Sequence, residues 1–367
     1  RQWCGAAGKK ENCLVSVHLG YASEDFHCLL DSDLFLPLSW SKDRERCQEA
    51  GIPEAVEHRP KTVIALELYD QARRNGMEFD WLTFDEGYAG KPPFLRELDK
   101  REQIFVGEVP VSFRAWAKRP RVTERSYHRH GRGRGRRVPR LVSGSPKAKT
   151  VQALLTDHPL LRQQPWQCFR VKDGEKGPML WEAKHALIYP PNEAGLPDRV
   201  YHLVVARSVL APNEVKYFVS NAPPETSIET LLLVAFSRWR IERCFQDDKG
   251  QLGLDHYEGR RWRGWQRHLM ISAVSFLFLA RVHQALREKK SAADSLPSAY
   301  RHFGCGTDLV VERMQGHGVV QENGSQDSVA TETQCSGAQK SYQSDSSKTT
   351  PNGHSFNRSQ TMSLALT

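Results

Sequence analysis

Arg238, Glu242 and Lys249 stand in the spacing Arg-x3-Glu-x6-Lys, inside TSIETLLLVAFSRWRIERCFQDDKGQLGLDHYE at 226–258. The stretch reads as one long helix, with Thr226 or Ser227 as its N-cap and Gly250 and Gly253 weakening its far end. On a helical wheel Val234, Ile241 and Phe245 fall within about 20° of one line and form a core stripe. Arg238, Glu242 and Lys249 fall about 40°, 80° and 60° from that line. Cations and a carboxylate at the margin of a buried face can reach into a cleft while their helix stays anchored. An i,i+4 ion pair between Arg238 and Glu242 is the plainer account. Spacing alone leaves both readings open.

Asp85 is the second carboxylate of interest. It ends the short apolar run Trp81–Phe84, which reads as a strand, and it opens the segment DEGYAG. In open α/β sheets sites gather at the carboxyl ends of strands, so an acid placed there is a functional candidate. An ordinary Asp-x-Gly turn is the alternative. Glu86, Gly87 and Gly90 suit a shaped loop better than a hairpin, which favours function.

Residues 110–150 hold a single acid, Glu124, among thirteen Arg and Lys residues. At the centre of this segment is SYHRHGRGRGRRVPR, with Arg132, Arg134, Arg136 and Arg137. Glycines between arginines keep the backbone slim, so guanidinium groups can follow phosphates or enter a minor groove. A solvated loop is the alternative. Even so, a loop this basic binds nucleic acid without sequence preference and with strong salt dependence.

An oxygen-only ligand set beside phosphate-binding cations suits Mg2+ or Mn2+. Two-metal phosphoryl transfer needs carboxylates around ions roughly 4 Å apart, and two carboxylates are too few. A third is therefore expected. A glycosidase-like carboxylate pair is a different chemistry open to two acids. The basic segment and the flanking Arg238 and Lys249 argue against it.

The elements that must position these groups follow in chain order. Residues 12–22 and 26–38 read as antiparallel strands, 61–75 as an amphipathic helix, 93–101 as a second helix, and 103–109 as a further strand. Four strand-type runs, 166–171, 179–188, 199–206 and 215–220, form a β-rich block before the long helix. Residues 262–288 read as a last helix lying across the sheet. Its run LMISAVSFLFLA is too short to span a bilayer and is expected to be buried. From about 312 the composition turns to Ser, Gln, Thr, Asn and Gly and predicts a disordered tail.

Composition is consistent with this reading. The formal charge is +9 over 367 residues, moderately basic and compatible with a polyanionic partner. Eight cysteines show no C-x-x-C and no zinc-finger spacing, which points to reduced thiols in a cytosolic protein.

With these residues in place, the sequence resembles the DDE transposases of bacterial insertion sequences, in the superfamily with a Tyr-x2-Arg-x3-Glu-x6-Lys signature. Arg238, Glu242 and Lys249 match its spacing, and Asp85 in DEGYAG resembles its second Asp. The resemblance implies an α/β fold: an RNase H-like core, a mixed sheet flanked by helices, with a β-rich insertion before the last catalytic helix. The core is expected at 1–109 and 226–290, interrupted by the basic loop (110–150) and the insertion (151–225), with a polar tail at 291–367. It implies Asp85 and Glu242 as catalytic, metal-holding carboxylates with Mg2+ or Mn2+. Arg238 and Lys249 would hold phosphates of the DNA ends, and the target DNA would be a further partner. A homodimer in the DNA complex is compatible with this, no membrane partner is expected, and the place is the bacterial cytoplasm at the nucleoid.

Two departures qualify the resemblance. The family Tyr falls on Ala235, with Phe236 out of register. The family's first Asp falls before residue 1, so the chain as given is expected to be inactive by itself. A non-catalytic DNA-binding remnant is the alternative. Trp239 and Trp262 could stack on an unpaired base, though core roles are expected of them.

Overall fold

The computed structural model describes residues 2–4, 8–11, 13–23, 26–127, 136–174, 177–294 and 361–366. It divides into two units, residues 1–284 with 358–367, and residues 285–357. Within the second unit, only 285–294 are described, as the end of a helix.

The first unit is built on a nine-stranded mixed sheet. Its strands are β1 (Ser16–Ala22), β2 (His27–Leu34), β3 (Trp81–Phe84) and β4 (Phe105–Glu108). A peripheral hairpin, β5 (Val122–Tyr127) and β6 (Arg136–Leu141), pairs separately. Then follow β7 (Gln167–Gly174), β8 (Gly177–Ile188), β9 (Tyr201–Ser208) and β10 (Val215–Ser220). The last strand, β11 (Thr361–Leu366), comes from the far end of the chain. The order across the sheet is β7-β8-β9-β10-β4-β3-β11-β1-β2.

Strand direction divides the sheet. β3 runs parallel to both β4 and β11, with Phe84 opposite Gly107 and Leu364. All other neighbours are antiparallel. The parallel centre is buried on both faces, as parallel strands require. Helices α1 (Lys61–Arg74) and α2 (Pro92–Lys100) cover one face, where Ile64, Leu68, Phe94 and Leu98 pack on Leu19, Phe84 and Phe105. Helices α4 (Ile228–Ser237) and α5 (Trp239–Asp247) cover the other. There Leu231, Leu232 and Val234 pack on Val106 and Phe218, and Ile241 and Phe245 pack with Cys28 and Leu29. A mixed sheet flanked by helices, with a β-rich block before the last helices, is consistent with an RNase H-like fold. α3 (Val151–Asp157) caps the block through Leu154.

Several expectations are corrected here. The segment 226–258 is not one helix. It begins at Ile228, capped by the Ser227 hydroxyl, which accepts from Thr230 N, breaks at Arg238, and passes into a π-helical turn over Asp248–Leu252. Gly253, at φ 69°, ends it, because a left-handed residue there costs glycine little. The basic segment 110–150 is not a plain loop: β5 and β6 pair from Val122↔Leu141 to Tyr127↔Arg136.

The last helix, α6 (Trp262–Asp294), is not buried throughout. Leu269, Ser272 and Phe276 face inward, while Met270, Ile271, Val274 and Phe278 are 60–68 % exposed. Periodicity explains this: the run is apolar all round, but only one stripe of it has a neighbour. By length and composition Trp262–Leu286 is also long and apolar enough to cross a membrane. The polar C-terminal region contains β11, an interior strand; residues 295–360 lie outside the described residues. The described cysteines Cys13, Cys28, Cys47, Cys168 and Cys244 are free thiols.

Candidate active site

Strand geometry sorts the site residues. Side chains alternate along a strand, so if Leu82 and Phe84 face α1, then Thr83 and Asp85 face α4 and α5. The same rule on β4 puts Phe105 on the α1 side and Val106 and Glu108 on the other. Phe84 pairs with Gly107, so Asp85 and Glu108 follow side by side at the carboxyl ends of parallel neighbours. On β1, His18 and Gly20 face α5, where His18 meets the Phe245 ring edge-on at 5.0 Å. A Cβ on Gly20 would lie 2.6 Å from Ile241 Cδ1, so glycine is what lets α5 approach.

Asp85 is the N-cap of a single helical turn, Glu86–Ala89, and its Oδ1 accepts from Gly87 N at 2.9 Å. The Asp-x-Gly turn reading is therefore correct as geometry, and it does not compete with the site reading. Burial raises the Asp85 pKa above the usual carboxylate range. The Arg238 charge and the Gly87 and Tyr88 amides oppose that rise, and Glu108 adds to it.

Arg238 sits at the break between α4 and α5 and joins the acids. Its guanidinium lies 2.8 Å from Glu242 Oε1 and 3.6 Å from Glu108 Oε2. Lys216 Nζ holds the other oxygen of Glu108 at 3.0 Å. Lys61, on α1, feels the charge of Asp85, which partly offsets the lowering of its pKa by burial. The Arg238 side chain is 19 % exposed and that of Glu242 is 58 % exposed. Of the two open readings of the Arg238–Glu242 spacing, the i,i+4 ion pair is present, and the Arg238 charge also acts on Asp85.

Lys249 is half-buried in the π-helical turn. Its charge reaches buried His18, whose pKa falls to about 3, mainly through burial and secondarily through Lys249. Next to it Asp248 is fully buried, and neither carboxylate oxygen has a hydrogen-bond partner among the described residues. Burial lifts the Asp248 pKa to about 6, with His268 opposing.

The remaining candidates divide. Arg136 and Arg137 start β6, while Arg132 and Arg134 lie outside the described residues. Trp262 is a core residue, packed with Leu34, Leu36 and Cys47. Trp239 departs from the expected core role, being 38 % exposed at the start of α5. Ala235 is buried against the sheet, and Phe236 packs on Trp181 at 4.6 Å and on Phe218 at 5.7 Å. Neither offers a group to a ligand.

Sequence reasoning missed Glu108. Its strand was visible, but not which strand it would lie beside. Once Asp85 is placed at the end of β3, a parallel neighbour ending in an acid is the signal that finds it.

Among the described residues, no group of three or more His, Cys, Asp or Glu could hold a metal ion. Asp85 is engaged by backbone amides and Glu242 by Arg238. The charges also cancel: Asp85, Glu108 and Glu242 stand against Lys61, Lys216 and Arg238. A divalent ion would meet a neutral cluster, so the residues as arranged do not fit one.

Residues 1–178 match the family model described as DDE superfamily endonuclease. The match contains Asp85 and Glu108 and stops before Glu242. It supports a DDE transposase or nuclease affiliation, a family that acts on DNA and typically uses divalent metal ions. No curated protein matches the chain.

Proposed function

We propose that this chain is a DNA-binding protein of the insertion-sequence DDE transposase type, in the Tyr-Arg-Glu-Lys superfamily. In this reading its active centre is marked by Asp85 and Glu242, and it does not cleave DNA in the arrangement described. One observation carries it. Asp85 ends a central parallel strand, Glu242 stands on the helix covering that face, and Arg238 pairs with Glu242 while its charge acts on Asp85, in a chain whose first part matches a DDE endonuclease.

Each residue has a task in this reading. Arg238 and Lys249 face the phosphates of a DNA end from the margin of α5 and the turn after it. A guanidinium suits a phosphate oxygen pair, and an ammonium suits a single oxygen. Arg132, Arg134, Arg136 and Arg137 track the backbone along the β5–β6 segment, which supplies affinity without base reading. Asp85 and Glu242 are the carboxylates around which a phosphodiester would be arranged. Their engagement with Gly87 and Arg238 is the reason for expecting no cleavage.

The test uses supercoiled plasmid and the full chain. Gel shift is expected to show binding that weakens steeply with salt. Replacing Arg132, Arg134, Arg136 and Arg137 with Gln is expected to flatten the plot of log affinity against log salt by roughly 3–4. Nicking in Mg2+ is expected to equal that of Glu242→Gln. Robust nicking by the wild type, lost in Glu242→Gln, would overturn the non-cleaving reading. Absence of salt-dependent DNA binding would overturn the DNA assignment altogether.

A further inference from the structure

Besides lacking a group of three ligands among the described residues, these acids already hold a cation. Arg238 reaches Glu242 at 2.8 Å and Glu108 at 3.6 Å, and its charge is felt by Asp85. An arginine cannot discharge its proton in a protein, so this cation is permanent. The backbone fixes its place, since Arg238 is the residue between α4 and α5 and keeps helical dihedrals at φ −55°, ψ −32°. Glu108, pinned by Lys216 at 3.0 Å, anchors it from the sheet side.

We propose that Arg238 is the resident counter-cation of Glu108 and Glu242, and that it excludes divalent cations while it is paired there. The inference rests on reading Asp85 and Glu242 as the acids of the active centre. With Arg238 in place the three acids and three cations balance. Without it, one negative charge is uncompensated near Asp85, whose proton affinity Glu108 already raises. A divalent ion relieves that repulsion.

Mn2+ binding to the full chain, read by the electron paramagnetic resonance of free Mn2+, tests this without any activity. The wild type is expected to show no site tighter than about 1 mM. Arg238→Gln is expected to bind at least about tenfold more tightly, because it exposes the acids. Glu108→Gln removes an acid and leaves the cation, so its Mn2+ binding should stay as weak as wild type. Where Arg238→Gln does not fold, Arg238→Lys replaces it. A single ammonium cannot bridge two carboxylates as a guanidinium does, and tightening of about threefold or more is expected.

A wild type that saturates with Mn2+ in the micromolar range overturns the proposal, whatever the variants do. So does a folded arginine variant that binds no more tightly, or a Glu108→Gln that tightens as much as Arg238→Gln. Gel shift on the same proteins keeps the two readings apart. Loss of wild-type DNA binding would sink the functional assignment and leave the Mn2+ result to stand by itself.

Discussion

At the residue scale the site region holds an acid that the ion-pair cluster does not use. Asp248 is 0 % exposed in the π-helical turn, beside Lys249, and its two oxygens lack hydrogen-bond partners among the described residues. Its pKa of about 6 lies above the ordinary aspartate value of 3.8, so between these two values the folded chain binds more protons than the unfolded chain. Stability contributed by this group is present at acid pH and declines as pH rises through about 6. Asp248→Asn should remove that decline. Relative to wild type, the variant is expected to gain stability steadily from about pH 4 to about pH 6, by roughly 1–3 kcal/mol, and to hold the gain above. Thermal melts of both proteins at half-unit pH steps measure it. A difference curve that is flat across this range would show that Asp248 has polar company in solution.

At the element scale the question is how α5 is held over the sheet. Ile241 fills the space that a side chain on Gly20 would need, and Glu242 is its chain neighbour. Gly20→Ala should therefore push α5 away and cost about 1–3 kcal/mol of stability, as overpacking does. Ile241→Val removes the Cδ1 atom and should recover part of that loss in the double variant, although Cγ1 would still lie 3.2 Å from the new Cβ. Equal melting temperatures for the single and double variants would mean that the clash is absorbed elsewhere. Much at this scale was legible beforehand. Trp81–Phe84 was read with its observed bounds, and the stripe Val234, Ile241 and Phe245 is buried as the wheel implies. The break at Arg238 was not legible, because the residues around it continue a helical pattern. Glu108 was hidden because periodicity orders residues within a strand and says nothing of which strands adjoin. The exposed face of α6 was misread because a run apolar on every side carries no sign of which side has a neighbour.

At the scale of the whole molecule the least expected feature is β11. Thr361–Leu366 lies between β1 and β3, so the sheet is closed at its centre by residues from the far end of the chain. Its alternation T-M-S-L-A-L was the available signal, outweighed by the polar composition around it. Without β11, β1 and β3 would each have an unpaired edge beside fully buried Val17, Leu19, Leu82 and Phe84. Unsatisfied amides at that depth are costly. The edge in question is that of β3, whose last residue Phe84 pairs with Leu364 just before Asp85. The strand that leads to Asp85 is thus paired with residues far away in the chain, a kind of pairing that forms late and slowly. Leu364→Pro tests this. On an interior strand the amide lost to proline faces a partner, and the substitution should cost about 3 kcal/mol or more. The variant is expected to melt at a lower temperature and to lose hydrogen-exchange protection at Leu82, Thr83 and Phe84 on β3. Protection of β8 and β9, several strands away, should fall only as far as global stability falls. Unchanged protection along β3 would mean that β11 is not the strand that holds Asp85 in place.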